Sequence, residues 1–353
     1  MTKDSVIVDV HSHIYTKSYV NILEKYGMLS RLSEDTVKIG KGKRTALIGS
    51  AIIDMDKRLK EIEKFGFITY QILSISRPWT YFLPEQEEIK TARSINEEIA
   101  EIINKYPSTF GGLGTLPLNS DINYTIEEAE RAVKDLGLNG FIIGTDIGDG
   151  TIDLPKFEPL LEVISKLDVP IFLHPGSMAL DKIISEDYRT GELVNYLFET
   201  THVLSRIILS GILDKYKLKI VAAHGGGYIT YQFGRLDRGY EIYPEIKEKI
   251  KKKPSEYLKE IYYDSIVFSK EALEHLIRFA GKEHVMFGTD YPFKISDPVG
   301  MKKLLESLDL TEDELELIYM KNAKNKLKQL NFAYRIHPNS HRTHKKTSKK
   351  KNY

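Results

Sequence analysis

The chain has 353 residues, 41% of them hydrophobic, and sets 51 Lys and Arg against 50 Asp and Glu for a formal net charge of +1. That is an ordinary globular composition, and it gives no bulk electrostatic reason to expect a nucleic-acid partner. No Cys occurs, so disulfides and thiolate metal sites are excluded and any transition metal must be held by nitrogen and oxygen donors.

The opening "MTKDSVIVDV" lacks an apolar core long enough for a secretion signal, and no run approaches the roughly 20 apolar residues of a membrane span, so a cytoplasmic protein with no membrane partner is expected. In chain order the apolar runs are "SVIVDV", "ITYQILSI", "FGGLGTL", "GFIIGT", "VPIFLHP", "KIVAAHGG", "IYYDSI" and "HVMFGTD". Between them, segments such as 54–65, 86–106, 122–136, 156–167, 192–213 and 270–280 repeat their apolar residues at three and four, the helical spacing. Strands that are apolar throughout fit a parallel sheet covered on both faces. A doubly wound open sheet would call for a glycine-rich phosphate turn after an early strand, and none is present. The predicted fold is therefore α/β, a (β/α)8 TIM barrel over residues 1–330.

One stretch breaks the rhythm. Residues 29–50, "LSRLSEDTVKIGKGKRTALIGS", carry a Gly-Lys-Gly turn between alternating residues and predict a β-hairpin inserted after the first strand, at the rim where a barrel keeps its active site. Residues 331–353 are basic and without periodicity and read as a disordered tail, in which His337, His341 and His344 are solvated rather than metal-bound.

Chemistry gathers at the strand ends. In "VDVHSHIY" side chains two apart share a face, so His11 and His13 can approach one ion together. "IFLHPG" places His174 after the fifth strand, "VAAHGGG" places His224 after the sixth, and "MFGTDYPF" places Asp290 after the eighth. Singly each has a plain structural reading, His174 as a strand cap and Asp290 as a helix cap. Together, at ends that a barrel brings to one face, they predict a site for one divalent ion. Imidazole and carboxylate donors suit zinc first, with manganese, iron or cobalt also compatible.

These motifs, with "RLKEIEKFGFITYQILSIS", "FGGLGTLPL", "LKIVAAHGGGYITYQFGRLDRGY" and "YYDSIVF", resemble the amidohydrolase superfamily over about residues 6–328. Within it the chain is similar to the decarboxylase branch typified by aminocarboxymuconate semialdehyde decarboxylase. The resemblance implies His11, His13, His174 and Asp290 as metal ligands. His224 and Asp290 would be the catalytic groups, moving a proton beside a metal-activated water. It implies decarboxylation of a small unsaturated or aromatic carboxylic acid. Hydrolysis of a cyclic amide, lactone or related bond stays open, because one metal site serves either reaction. A non-enzymatic binding protein recruited through the tail is the third reading, and the complete ligand set speaks against it.

Arg235, in "QFGRLDRGY", matches an arginine that in this branch reaches across a dimer interface to a substrate carboxylate, which implies a homodimer. The branch's second carboxylate-binding arginine falls near Gly49, leaving Arg44 or Lys43 just upstream as its replacement. Gly176 stands where the branch has one pocket tryptophan, and residues 192–194 where it has another. The chain's single tryptophan, Trp79 in "SISRPWTYFLP", is the candidate for an aromatic pocket wall with Arg77, Tyr81 and Phe82, a group that also fits plain loop packing. The three glycines after His224 are expected to let substrate approach closely.

Overall fold

The computed structural model describes residues 6–327 and 330, apart from 42–43, 68, 149 and 177–186. The basic tail and its histidines lie outside the described residues. In chain order the strands are β1 (Ile7–His13), β2 (Leu29–Arg31), β3 (Thr36–Lys41), β4 (Arg44–Gly49), β5 (Thr69–Ser74), β6 (Phe110–Gly112), β7 (Phe141–Gly144), β8 (Pro170–His174), β9 (Lys219–Ala222), β10 (Tyr262–Asp264) and β11 (Val285–Met286). Each predicted apolar run holds a strand. Burial of every residue in β1, β5, β7 and β8 accounts for their unbroken apolar character.

These strands pair in parallel as two arcs, β1-β5-β6 and β7-β8-β9-β10-β11. Hydrogen bonds join the arcs at both edges. On one side Gly114 N donates to Gly140 O at 2.8 Å and Ile142 N to Gly114 O at 3.0 Å. On the other, Val10 N donates to Phe287 O at 3.0 Å and Asp290 N to His11 O at 2.9 Å. Helices Glu85–Lys105, Ile122–Lys134, Glu158–Leu167, Tyr196–Leu209, Ile229–Ile242 and Lys270–Ala280 alternate with the strands. Side-chain caps set some of their starts: Asp121 accepts from Asn123 N, and Ser269 from Ala272 N. No described helix is long and apolar enough to cross a membrane.

Two elements differ from expectation. The helix predicted over 192–213 begins as a single wide turn at Gly191–Asn195 and stops at Leu209, just before the left-handed Gly211. Between β1 and β5 lies an antiparallel sheet of three strands, β2-β3-β4, in place of a two-stranded hairpin. A bridge from Ile48 to Phe293 ties this sheet to the loop after β11.

Gly140 sits at one seam between the arcs with φ +156°, and a Cβ there would stand 2.5 Å from Pro170 O. Gly140→Ala is expected to lower stability by about 1–3 kcal/mol through strain and overlap, measured as a lower urea midpoint with unchanged slope.

Candidate metal centre

β1 ends in His13, β8 ends in His174, His224 follows β9, and Asp290 lies in the loop after β11, so the parallel strands bring all of them to one end. Ligand atoms of His11, His174, His224 and Asp290 lie within 4.8 Å of one another. His13 joins them, with its Nε2 3.0 Å from His11 Nε2 and 3.2 Å from Asp290 Oδ1. His11 Nε2 is 3.3 Å from the same oxygen, and His224 Nε2 is 3.7 Å from Asp290 Oδ2.

Neighbouring groups fix the tautomers. His174 Nδ1 lies 2.5 Å from Pro175 O, which can only accept, so the proton sits on Nδ1 and Nε2 keeps its lone pair. Ser74 Oγ lies 3.2 Å from His13 Nδ1 and donates to Ser12 O at 3.4 Å, so it accepts from His13 and leaves that Nε2 with its lone pair as well. Asp264, at the end of β10, sits 2.6 Å from His11 Nδ1. The same carboxylate accepts from His224 N at 2.9 Å, Gly225 N at 3.0 Å and Ile266 N at 3.1 Å. Asp264 is not among the residues expected from the sequence, although an acid closing the apolar run "IYYDSI" is a signal for it.

The glycines after His224 serve the protein's own packing. Their φ values are +61°, +78° and +69°, and a Cβ would meet Val267 Cγ1 at 2.5 Å on Gly225, Tyr263 Cε1 at 2.7 Å on Gly226 and Leu197 O at 2.1 Å on Gly227. The expectation that they make room for substrate gives way to this one, with only Gly227 also reaching the cavity. His224 and Asp290 themselves hold φ +54° and +59°, conformations costly for residues with side chains and concentrated at functional sites.

Burial, first, and the neighbouring imidazoles hold His174 well below its usual pKa, and burial pushes His13 down to about 4. For His11 burial opposes charge, but the Asp290 and Asp264 carboxylates outweigh it and raise the pKa to about 10. Asp290 stays ionised despite its burial because His11, His13 and His224 face it. The donor set therefore fits a cation. His174 Nε2 and Asp290 Oδ1 are buried without a hydrogen-bond partner, one a lone pair and the other a charge, and both suit coordination.

A cavity of about 370 Å³ opens over the cluster, with His174, His224 and Asp290 in its wall. Tyr196, Tyr228, Phe268 and Phe293 supply aromatic faces, and Leu47 of β4 reaches it from the inserted sheet. Arg77, Arg189 and Lys294 bring positive charge, while Glu192 lies 3.4 Å from both Arg77 Nη2 and Arg189 Nη1. Trp79 is absent from this wall. It is 2% exposed, stacks on Tyr81 and meets His174 edge-on at 5.7 Å, so its ring is core behind a predicted ligand. A side chain on Gly176 would meet Arg77 Cβ at 2.9 Å and Trp79 Nε1 at 3.3 Å, so those two already fill the space beside that residue. Arg44 opens β4, and its side chain lies outside the described residues. Arg235 is exposed on the Ile229–Ile242 helix and does not line the cavity of its own chain.

The amidohydrolase family model matches residues 8–327. The chain belongs to the amidohydrolase family. Relatives of this amidohydrolase include the 2-amino-3-carboxymuconate-6-semialdehyde decarboxylase of Dictyostelium discoideum, 31% identical over 313 residues that cover 86% of each chain. The gamma-resorcylate decarboxylase of Polaromonas is 30% identical over 294 residues, 79% of this chain and 89% of that one. Among solved structures, a dihydroxybenzoic acid decarboxylase from Polaromonas, with bound manganese and the inhibitor 2-nitroresorcinol, has a TM-score of 0.77 and 26% identity over 91% of this chain and 96% of its own.

Two outcomes follow for metal binding. The Asp290 and Asp264 carboxylates raise the pKa of His11 to about 10, so a divalent ion bound at its Nε2 would displace a proton, and affinity is expected to rise with pH between 6 and 8. Titration calorimetry in buffers of different ionisation enthalpy should register the released proton. Asp264→Asn should weaken binding by about 10–100-fold, because the partner that orients His11 is lost.

Proposed function

We propose that this amidohydrolase is a metal-dependent decarboxylase of a small unsaturated or aromatic carboxylic acid, built on a closed (β/α)8 barrel whose inserted antiparallel sheet helps wall the pocket. The observation that carries the reading is the convergence of His11, His13, His174, His224 and Asp290 beneath a cavity lined by aromatic rings and cations. The relatives described are named as decarboxylases, which weighs against hydrolysis of a cyclic amide or lactone.

His11, His13, His174 and Asp290 would hold the ion. Zinc suits the donors, and manganese gains weight from the neighbour that binds it. When bound, it supplies Lewis acidity toward the oxygen atoms of the substrate. His224 is left for proton work, being less buried than His11 and His13 and opening to the cavity. Its Nε2 delivers a proton to the carbon that bears the carboxylate, with Asp290 Oδ2 beside it to exchange that proton. The bond to the carboxylate then breaks, carbon dioxide leaves, and the electron pair returns to the conjugated system. Arg77, Arg189 and Lys294 draw the anionic substrate in, and the aromatic faces hold a flat one.

Arg235 reaches such a cavity only from a second copy, so the proposed unit is a homodimer. Exposed Phe198, Tyr228 and Tyr231 near that helix supply an apolar surface for it.

Four measurements test this reading. Metal analysis should find about one divalent ion per chain, and a panel of hydroxybenzoates and unsaturated acids should release carbon dioxide as substrate disappears. A new carboxylate without carbon dioxide would turn the assignment to hydrolysis. His224→Ala should keep the ion and lose about 100-fold or more in rate. Mixed Arg235→Ala and His224→Ala subunits should regain activity on exchange, whereas a fully active monomer removes the shared site.

A further inference from the structure

Arg58 lies on the Met55–Ile62 helix, whose sequence MDKRLKEI reads as an ordinary amphipathic surface helix, yet its side chain is wholly buried at 0% exposure. Removing a guanidinium from water costs several kcal/mol unless its donors are met, and a packed apolar side chain of similar size is often no less stable. Nothing in the chemistry proposed above uses this cation, and it does not line the cavity.

Its donors converge on the strand that carries the paired histidines. Nη1 donates to His13 O at 2.7 Å, Nη2 donates to Ser12 Oγ, and Nε donates to Gln71 Oε1 at 3.0 Å. The ring of Tyr291 lies 4.9 Å from the guanidinium carbon and that of Phe110 5.9 Å. Each of the three guanidinium nitrogens therefore donates to an acceptor.

β1 needs holding at this point. Its register against β5 shifts between Asp9 and Ser12, since Asp9 pairs with Gln71 but Ser12 with Leu73. One extra residue is thus inserted where His11 stands, and such a bulge interrupts the ladder and re-aims side chains. Asp9 anchors the near side by accepting from His11 N at 3.2 Å and from Thr289 N at 3.1 Å. Beyond the bulge, His13 N goes to Tyr291 O and Ile14 N to Ser74 O, while the His13 carbonyl turns to Arg58.

We propose that Arg58 is the positioning residue that locks this bulge, so that His11 and His13 present their Nε2 atoms to one ion. A lysine cannot replace it fully, because one ammonium lacks the rigid fork that serves the carbonyl, the hydroxyl and the amide at once. The proposal rests on the metal-centre reading above.

The test compares manganese affinity, the visible spectrum of the cobalt-loaded protein and the melting temperature of the metal-free protein in wild type, Arg58→Met, Arg58→Lys and Leu161→Ala. The last is a core control on the Glu158–Leu167 helix. Arg58→Met should weaken manganese binding by about 10–100-fold and alter the cobalt spectrum, with Arg58→Lys intermediate. Leu161→Ala should lose stability while binding manganese as wild type does. A folded Arg58→Met with wild-type manganese affinity and cobalt spectrum overturns the proposal. If Arg58→Met does not fold, wild-type affinity in Arg58→Lys overturns it equally. Wild-type protein that takes up no divalent ion overturns the metal-centre reading itself, a result distinct from either.

Discussion

Four imidazoles face a buried carboxylate at the end of the parallel strands, and the rest of the molecule is arranged around what that arrangement requires. Asp290 lies within 3.7 Å of nitrogen atoms on His11, His13 and His224. In a medium of low dielectric an ion without a partner is strongly penalised, so each charge in the cluster must be met by another or by a cation between them. Asp290 and Asp264 answer this for His11 from its two ring nitrogens. The lone pair of His174 has no hydrogen-bond partner, and Asp290 Oδ1 faces the imidazoles as an ion pair without a hydrogen bond of its own, so both suit a divalent ion.

That requirement reaches into the backbone. His224 and Asp290 take positive φ, the three glycines after His224 pass close to Val267, Tyr263 and Leu197, and β1 carries an extra residue at its histidines. Such features weaken a strand or loop considered alone. They persist because fully buried strands and a large continuous core surround them. Asp264 binds the turn at His224 to the ring of His11, so one carboxylate couples two strand ends.

Much of this was legible in the sequence for a physical reason. A polar residue that closes an unbroken apolar run stands out, and parallel strands bring such ends together, which is how His11, His13, His174, His224 and Asp290 could be grouped. Their supports were hidden. Arg58 sits among Lys and Glu on a short amphipathic helix, where a solvated cation is the ordinary expectation, and only the packed structure reveals its burial. Trp79 stands out as a pocket residue because aromatic loop residues often line pockets, but stacking on Tyr81 and an edge-on contact with His174 turn it inward. The number of strands in the insertion was obscured because β2 has only three residues, too few for an alternating pattern.

The proposed ligands of one divalent ion are His11, His13, His174 and Asp290. Crystals grown with manganese and measured for its anomalous scattering test this assignment most directly. A single strong peak is expected at about 2.0–2.3 Å from the Nε2 atoms of the three histidines and one oxygen of Asp290. A peak held by other residues, or none in crystals of protein that remains active without added metal, would contradict it.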